Sequence, residues 1–298
     1  MLKLVEPYQR YTPYIFLLPI ILLFSIFWAI PVAEAFYYSF TRFNALTPPK
    51  FVGIENYILA LKDPLFYHSL LITFEFAFLS QLITMIIGLS LALAANSGLR
   101  GKGIFRIVYF LPVVTSSVAI SLMWAYMFDP IYGVLNSFIK LFGFAPQPWI
   151  FSSKEALLSI IVMTVWQWAG YHMFIFLSGL QAIPDEYYKA AVIDSAGPIK
   201  RFFKITLPLL KPTILFVFVL ATIGGLQIFT PIYIMTSGGP NYSTYTLMYY
   251  IYQQAFHFLK FGYADAVAVL FLAVTGAIIG VEAIWLRKGG LTYYGQKA

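Results

Sequence analysis

The sequence predicts an all-α membrane protein with six transmembrane helices, and three observations carry that prediction. The chain of 298 residues is 60% hydrophobic and only 10% charged. Soluble domains carry about 25% charged residues, so much of this side-chain surface needs lipid rather than water as its solvent. Six apolar runs are each long enough to cross a hydrocarbon core of roughly 30 Å as a helix. Lys and Arg are also distributed unequally between alternate connecting loops, as expected of a polytopic protein. Aromatic residues, 19% of the chain, suit the belts found at membrane interfaces.

The elements follow in order. The first span is expected near 14–37, preceded by Lys3 and Arg10. Ala33-Glu34-Ala35 resembles a signal-peptidase site, but the apolar run is longer than the roughly 7–15 residues of a signal h-region, so it reads as a retained span. The second and third spans are expected at 70–95 and 104–128, the third containing Pro112. The fourth lies at 156–182 and the fifth at 213–235, with Gly224-Gly225 inside it. The sixth is expected at 265–286. Membrane helices tolerate Pro and Gly as kinks and close-packing points. The loops at 38–69, 129–155 and 236–264 are punctuated by Pro48-Pro49, by Pro146 and Pro148, and by Gly238-Gly239-Pro240. None is long enough to be a domain, so residues 1–298 read as one transmembrane domain.

Orientation follows from the basic residues. One side holds Lys3 and Arg10, then Arg100, Lys102 and Arg106. It also holds Lys189, Lys200, Arg201, Lys204 and Lys211, and finally Arg287, Lys288 and Lys297. These are thirteen of the nineteen, and they make this side, with both termini, cytoplasmic. The net charge of +7 is no nucleic-acid signature, because these residues sit in loops beside spans. The chain has no cysteine, which excludes disulfides and thiolate metal sites.

The charges in or beside the spans, Glu34, Glu75, Arg106, Asp265 and Glu282, fall toward span ends. Ion-coupled carriers hold ionisable or ion-coordinating groups near the midplane, so a stand-alone carrier reading is weakened, and so is a strongly charged substrate. His-Glu-x-x-His and Gly-x-Ser-x-Gly are absent. His68, His172 and His257 lack metal-ligand spacing, so each reads as a packing residue. In "TVWQWAGYHM", Thr164, Gln167, Trp168 and Tyr171 fall at i, i+3, i+4 and i+7, on one helix face. A hydroxyl, an amide, an indole and a phenol there can hydrogen-bond a neutral polyol and stack on its C–H face. The fifth span adds Gln227, Phe229 and Tyr233, which do not share a face. The competing reading is that each such residue joins helix to helix. For the fourth-span group a lining role is favoured, with His172 beside it open to either role.

The segment "YYKAAVIDSAGPIKRFFKITLPLLKP" (187–212) is the least membrane-like long stretch between spans. Over 200–206, Lys200, Arg201 and Lys204 fall on one side of a helix, with Ile199, Phe202, Phe203 and Thr206 opposite. Gly197-Pro198 precedes it as a turn and helix start, so the segment reads as short helix, turn and surface helix. Pro208 to Pro212 then act as a hinge into the fifth span. Ala190, Ala191, Ser195 and Ala196 leave room for another protein at the turn, while an interfacial anchor is the plainer alternative.

This segment resembles the cytoplasmic EAA loop of ABC-importer permeases. Ala190 and Ala191 match the paired alanines, Asp194 a common Asp, and Ile205, Leu207 and Pro208 the end of the pattern, at the family spacing. Lys189 stands where the family has Glu, and Ser195 where it has Gly. "FVGIENY" (51–57), "FRIVYFLPVVTSSVAISLMWAYMFDPIYGVLN" (105–136), "IYIMTSGGPNYSTYTLMYYIYQQAF" (232–256) and "FGYADAVAVLF" (261–271) look like the sugar and glycerol-phosphate branch, relatives of the maltose-importer membrane subunits.

The resemblance implies a type I ABC importer permease fold in a prokaryotic cytoplasmic membrane. It implies a second homologous permease as partner, in a heterodimer rather than a homodimer. It also implies two cytoplasmic ATPases, which would bind the ATP and Mg, and an extracytoplasmic solute-binding protein. The loop 184–212 would hold a coupling helix seated in the ATPase, with Glu186, Lys189, Ala190, Ala191, Asp194, Ser195, Ala196, Gly197, Pro198, Leu207 and Pro208 at or near the contact. Lys189 reverses the family charge, so Glu186, one helical turn earlier, is the candidate replacement. With Ser195 in place of Gly, the flexible position at the turn is expected at Gly197. The chain has no P-loop, so ATP hydrolysis falls to partners. The expected substrate is a sugar or oligosaccharide, with a phosphorylated polyol as the alternative.

Overall fold

The computed structural model describes residues 7–97 and 101–288, with side chains from 11 to 97 and from 101 to 285. Lys3, Arg100 and Lys297, and the side chains of Arg10, Arg287 and Lys288, lie outside the described set. The chain forms two compact units. Among the described residues, five helices are long and apolar enough to cross a membrane, and a bent helix pair makes a sixth candidate.

One unit comprises residues 7–63 and Ile251–Ala273. Helix α1 (Pro7–Phe24) passes through a π-helical turn (Ser25–Ala29) into α2 (Ile30–Ser39). The turn sits just before Pro31, which has no N–H to give. The Ile30 N–H reaches Ser25 O instead, a wider bond that absorbs the missing donor. None of the most apolar stretch of this span is buried by the chain's own residues. A two-stranded hairpin follows, β1 (Thr41–Arg42) antiparallel to β2 (Lys50–Phe51). Asn44 holds its turn by accepting the Leu46 and Thr47 N–H groups at 3.1 and 2.9 Å. Helix α3 (Glu55–Lys62) is tied back through Asn56, which donates to Ser39 O at 2.9 Å and Thr41 O at 2.8 Å.

The other unit comprises Pro64–Tyr250 and residues 274–288. Its core lies among α4 (Pro64–Asn96), α8 (Ala156–Gln181) and α11 (Leu207–Leu226). Ala92, Ala95, Met173, Phe176, Leu177, Leu180, Leu210 and Val217 are buried there together. Small residues let these helices approach, as membrane packing requires. A Cβ on Gly225 would lie 2.9 Å from Ala77 Cα, and one on Gly170 would overlap the Tyr109 carbonyl.

The third span departs from the single run expected at 104–128. Helix α5 (Lys102–Val114) stops, and α6 (Ser117–Met127) leaves at a bend of 97°. Thr115 is extended, and Ser116, with φ −53° and ψ 128°, is also outside the helical region. The Thr115 hydroxyl bonds Leu111 O at 2.9 Å and the Ile120 N–H bonds Ser116 O at 3.0 Å, so carbonyls at the break stay satisfied.

The fifth span also differs. The helix runs from Pro198 to Leu226 without a hinge at Pro208–Pro212, as α10 (Pro198–Arg201), a π-helical turn (Phe202–Thr206) and α11. Residues 200–206 are therefore the first turns of the span, not a separate surface helix. The reason is again a proline without a donor. Leu207 N–H bonds Phe202 O, and this wider turn lets the helix pass Pro208 unbroken. The helix ends at Leu226 rather than near 235, and Ile232–Thr236 forms a separate π-helical turn. The loops expected at 129–155 and 236–264 contain helices α7 (Val134–Leu141) and α12 (Leu247–Tyr252). Helix α13 (Phe261–Lys288) is the last span.

Candidate functional site: a charge-free cavity and an exposed helical knuckle

A cavity of about 430 Å³ opens between α4, α8 and the end of α11. Thr164, Gln167, Trp168 and Tyr171 line it from α8, as their common helix face requires. Gln227 and Phe229 line it from the segment after α11. Their failure to share a helix face is immaterial, because the helix has ended at Leu226. Tyr233 is not on the wall. Its ring stacks on Phe229 with centroids 5.6 Å apart, so it backs a lining residue.

The sequence reading missed the α4 wall of Phe76, Ser80, Gln81 and Thr84. The pattern was there: Thr73, Ser80 and Thr84 recur at i, i+7 and i+11, one helix face. The Ser80 and Thr84 hydroxyls donate to Ala77 O and Ser80 O of their own helix, which leaves their lone pairs free. Gln81 Nε2 donates to Phe218 O at 2.8 Å and Thr222 Oγ1 at 3.0 Å. Thr222 Oγ1 is 2.8 Å from Glu282 Oε1, so the carboxylate attracts the hydroxyl proton and leaves the oxygen to accept from Gln81.

Among the described residues, no Lys, Arg, Asp or Glu lines the cavity. Thr164 Oγ1, a buried polar atom of a wall residue, has no hydrogen-bond partner among the described residues. Buried polar atoms are costly when unpaired, so this wall is suited to a ligand that supplies hydrogen bonds and no net charge. Aromatic rings at Trp168, Tyr171 and Phe229 add faces for C–H groups.

The second site is the loop before the fifth span. Helix α9 (Asp185–Ile193) is followed by a tight reversal. Ala196 N–H bonds Ala191 O at 2.9 Å and Ser195 N–H bonds Val192 O at 3.0 Å. This pair of bonds is a Schellman motif with Ser195 at its left-handed position. The expectation that Gly197 supplies the flexible position is thus corrected: Ser195 has φ of 53°, while Gly197 is extended. The Schellman bonds need positive φ at that residue, and the side chain there does not prevent it. Ser195→Gly is expected to relieve about 1 kcal/mol of backbone strain. Hydrogen exchange of the Ala196 amide should then slow roughly fivefold; unchanged or faster exchange would contradict it.

Glu186, Lys189, Ala190, Asp194, Ser195, Gly197, Pro198 and Pro208 are exposed, Ala196 and Leu207 are half-buried, and Ala191 is buried. Tyr188 Oη and Thr206 Oγ1, 3.0 Å apart, fasten α9 to the π-helical turn. The knuckle therefore holds its shape while presenting three aliphatic side chains. Val192, Ile193 and Ile199 are 58%, 83% and 76% exposed.

Helices long and apolar enough to cross a membrane, a cavity bearing uncharged polar side chains and an exposed knuckle fit a membrane transport subunit as the class of protein. Residues 84–288 match the family model described as the binding-protein-dependent transport system inner membrane component, and this chain belongs to that family. It is 31% identical to the trehalose/maltose transport system permease protein MalF of Thermococcus litoralis, over 93% of this chain and 92% of the relative. It is 33% identical to the arabinooligosaccharides transport system permease protein AraP of Bacillus subtilis, over 95% and 90%. It is 32% identical to the sn-glycerol-3-phosphate transport system permease protein UgpA of Agrobacterium fabrum, over 94% and 96%. A chain of a bacterial ABC transporter that imports the acidic polysaccharide alginate has the same fold, with a TM-score of 0.84 and 22% identity, covering 96% of this chain and 98% of that one. The fold is that of a type I ABC importer permease.

Proposed function

We propose that this chain, as one permease domain, is the membrane-spanning subunit of an ATP-driven importer that passes an uncharged sugar or oligosaccharide through the cavity by alternating access. Its partners are a second homologous permease, two cytoplasmic ATPases that bind ATP and Mg, and an extracytoplasmic solute-binding protein. Both termini and the 184–212 loop face the cytoplasm. The observation that carries the reading is a single unbroken helix. It starts at Pro198, on the knuckle, and continues to Leu226. Its last turns, with Ala221, Ile223, Gly224 and Gly225, line the cavity. A rod of 29 residues, about 43 Å at helical rise, links the surface offered to the ATPase with the wall offered to the substrate.

Relatives named for trehalose and maltose and for arabinooligosaccharides support the sugar class. The glycerol-3-phosphate relative supports the phosphorylated-polyol alternative, but a phosphate would need a cation or a cluster of donors, and among the described residues the wall carries no Lys or Arg. Membership of the family sets aside the stand-alone carrier. Gln167→Ala and Tyr171→Ala each remove hydrogen-bonding groups worth about 1–1.5 kcal/mol, so uptake by each is expected to fall roughly 5- to 15-fold with assembly intact. Full uptake by both variants would put the substrate elsewhere.

A further inference from the structure

A second cavity of about 430 Å³ lies wholly within the smaller unit, and shares no lining residue with the first. It is framed by the hairpin, α3, the π-helical turn Gln253–His257 and the start of α13. Its volume falls within the range of about 300–1,000 Å³ usual for small-molecule sites. The segments that frame it belong to the loops that the charge asymmetry puts opposite the cytoplasmic ones.

Gln254 lines this cavity and is only 9% exposed. Its side-chain amide makes no hydrogen bond among the described residues. Its amide atoms are not among the side-chain atoms sealed from solvent without a partner, so they open onto the cavity, where a ligand can complete their hydrogen bonds. Asn56 also lines the cavity. Its two N–H bonds go to Ser39 O and Thr41 O, which leaves its oxygen as a free acceptor. Four charged side chains line the cavity, Arg42, Glu55, Asp63 and Lys260. Arg42 pairs with Glu55 at 2.9 Å, and Tyr263 donates to Asp63 at 3.2 Å. Phe43 and Leu59 supply apolar wall.

We infer that this cavity is a second saccharide site, on the outer face, that takes an uncharged sugar residue. The Gln254 amide and Asn56 Oδ1 offer both donors and an acceptor, which adjacent hydroxyls of a pyranose or furanose can satisfy. The four charges on the wall, two of each sign, sum to zero and favour no ion of either sign, and Phe43 presents carbon to the ring face. The inference rests on the sugar reading of the central cavity.

The test uses the complete transporter in lipid nanodiscs, without its solute-binding protein, and diazirine derivatives of maltotriose and arabinotriose as photoprobes. With at least one probe, label is expected on peptides covering 42–63 and 254–263 as well as on those covering 164–171. The unlabelled saccharide should compete, and glycerol 3-phosphate should not. Gln254→Leu should lower the outer label at least fivefold and leave the 164–171 label unchanged, which also shows that the variant is folded. Label confined to 164–171 would overturn this site and spare the sugar reading, while no label in either place would overturn both. If the outer segments stay unlabelled and Gln254→Leu weakens capture of the solute-binding protein, the cavity is a protein dock and the inference fails. Outer label unchanged by Gln254→Leu would likewise overturn it.

Discussion

Ile193→Asp is expected to reduce uptake roughly 10- to 100-fold while leaving the permease folded and in the membrane. Ile193 is 83% exposed at the end of α9, so its removal costs the isolated chain little. Seated in a partner's cleft, an isoleucine contributes about 1.5–3 kcal/mol by leaving water, which corresponds to roughly 10- to 100-fold in docking. An aspartate there would add an unpaired charge to a desolvated contact. Uptake and ATP hydrolysis by the purified complex check this together. Loss of uptake with residual, unstimulated hydrolysis marks a broken coupling contact. Normal stimulated uptake would mean that the knuckle's apolar side chains face only water or lipid headgroups.

Gly170→Leu is expected to have the largest effect on the fold. A Cβ at Gly170 meets the Tyr109 carbonyl of α5, with the Tyr109 carbonyl carbon 2.6 Å and Phe110 N 3.2 Å away. These are backbone atoms, so no rotamer change relieves the overlap, and α5 must separate from α8. Overpacking of a tight core costs about 1–3 kcal/mol when side chains can shift, and a backbone obstacle raises that. The same residues flank the cavity, because Gly170 lies between Trp168 and Tyr171. Recovery of folded protein from membranes should fall several-fold. Gly276→Leu, at a glycine with nothing within 4 Å of an added Cβ, should be recovered like the parent chain. Equal recovery of both variants would contradict this account of helix crossing.

Much of the architecture was legible because lipid imposes a coarse rule. A helix that must satisfy its own backbone in hydrocarbon needs a long apolar run, and the runs containing α4, α8 and α13 are plain in the sequence. The breaks were harder. Pro112 suggested a kink, but the 97° bend falls at Thr115-Ser116, where neither residue forbids a helix. Pro208 and Pro212 suggested a hinge, and a π-helical turn passed the helix through. Local residue grammar cannot anticipate which of these two responses to a missing N–H the surrounding packing selects. The α8 face of the cavity was readable from one helix's periodicity. The α4 face had the same signature and was overlooked among apolar neighbours. Positive φ at Ser195 has no local signature, since serine seldom occupies that region.

The central claim is that the knuckle transmits the partner's work through one helix to the cavity. The most direct measurement places a photo-crosslinking amino acid at Ile193 in the complete transporter and identifies what it captures, with and without trapped ATP. The account predicts a covalent product with the ATP-hydrolysing subunit, and a yield that changes between the two nucleotide states. Capture of lipid alone, or of no other polypeptide in either state, would contradict it.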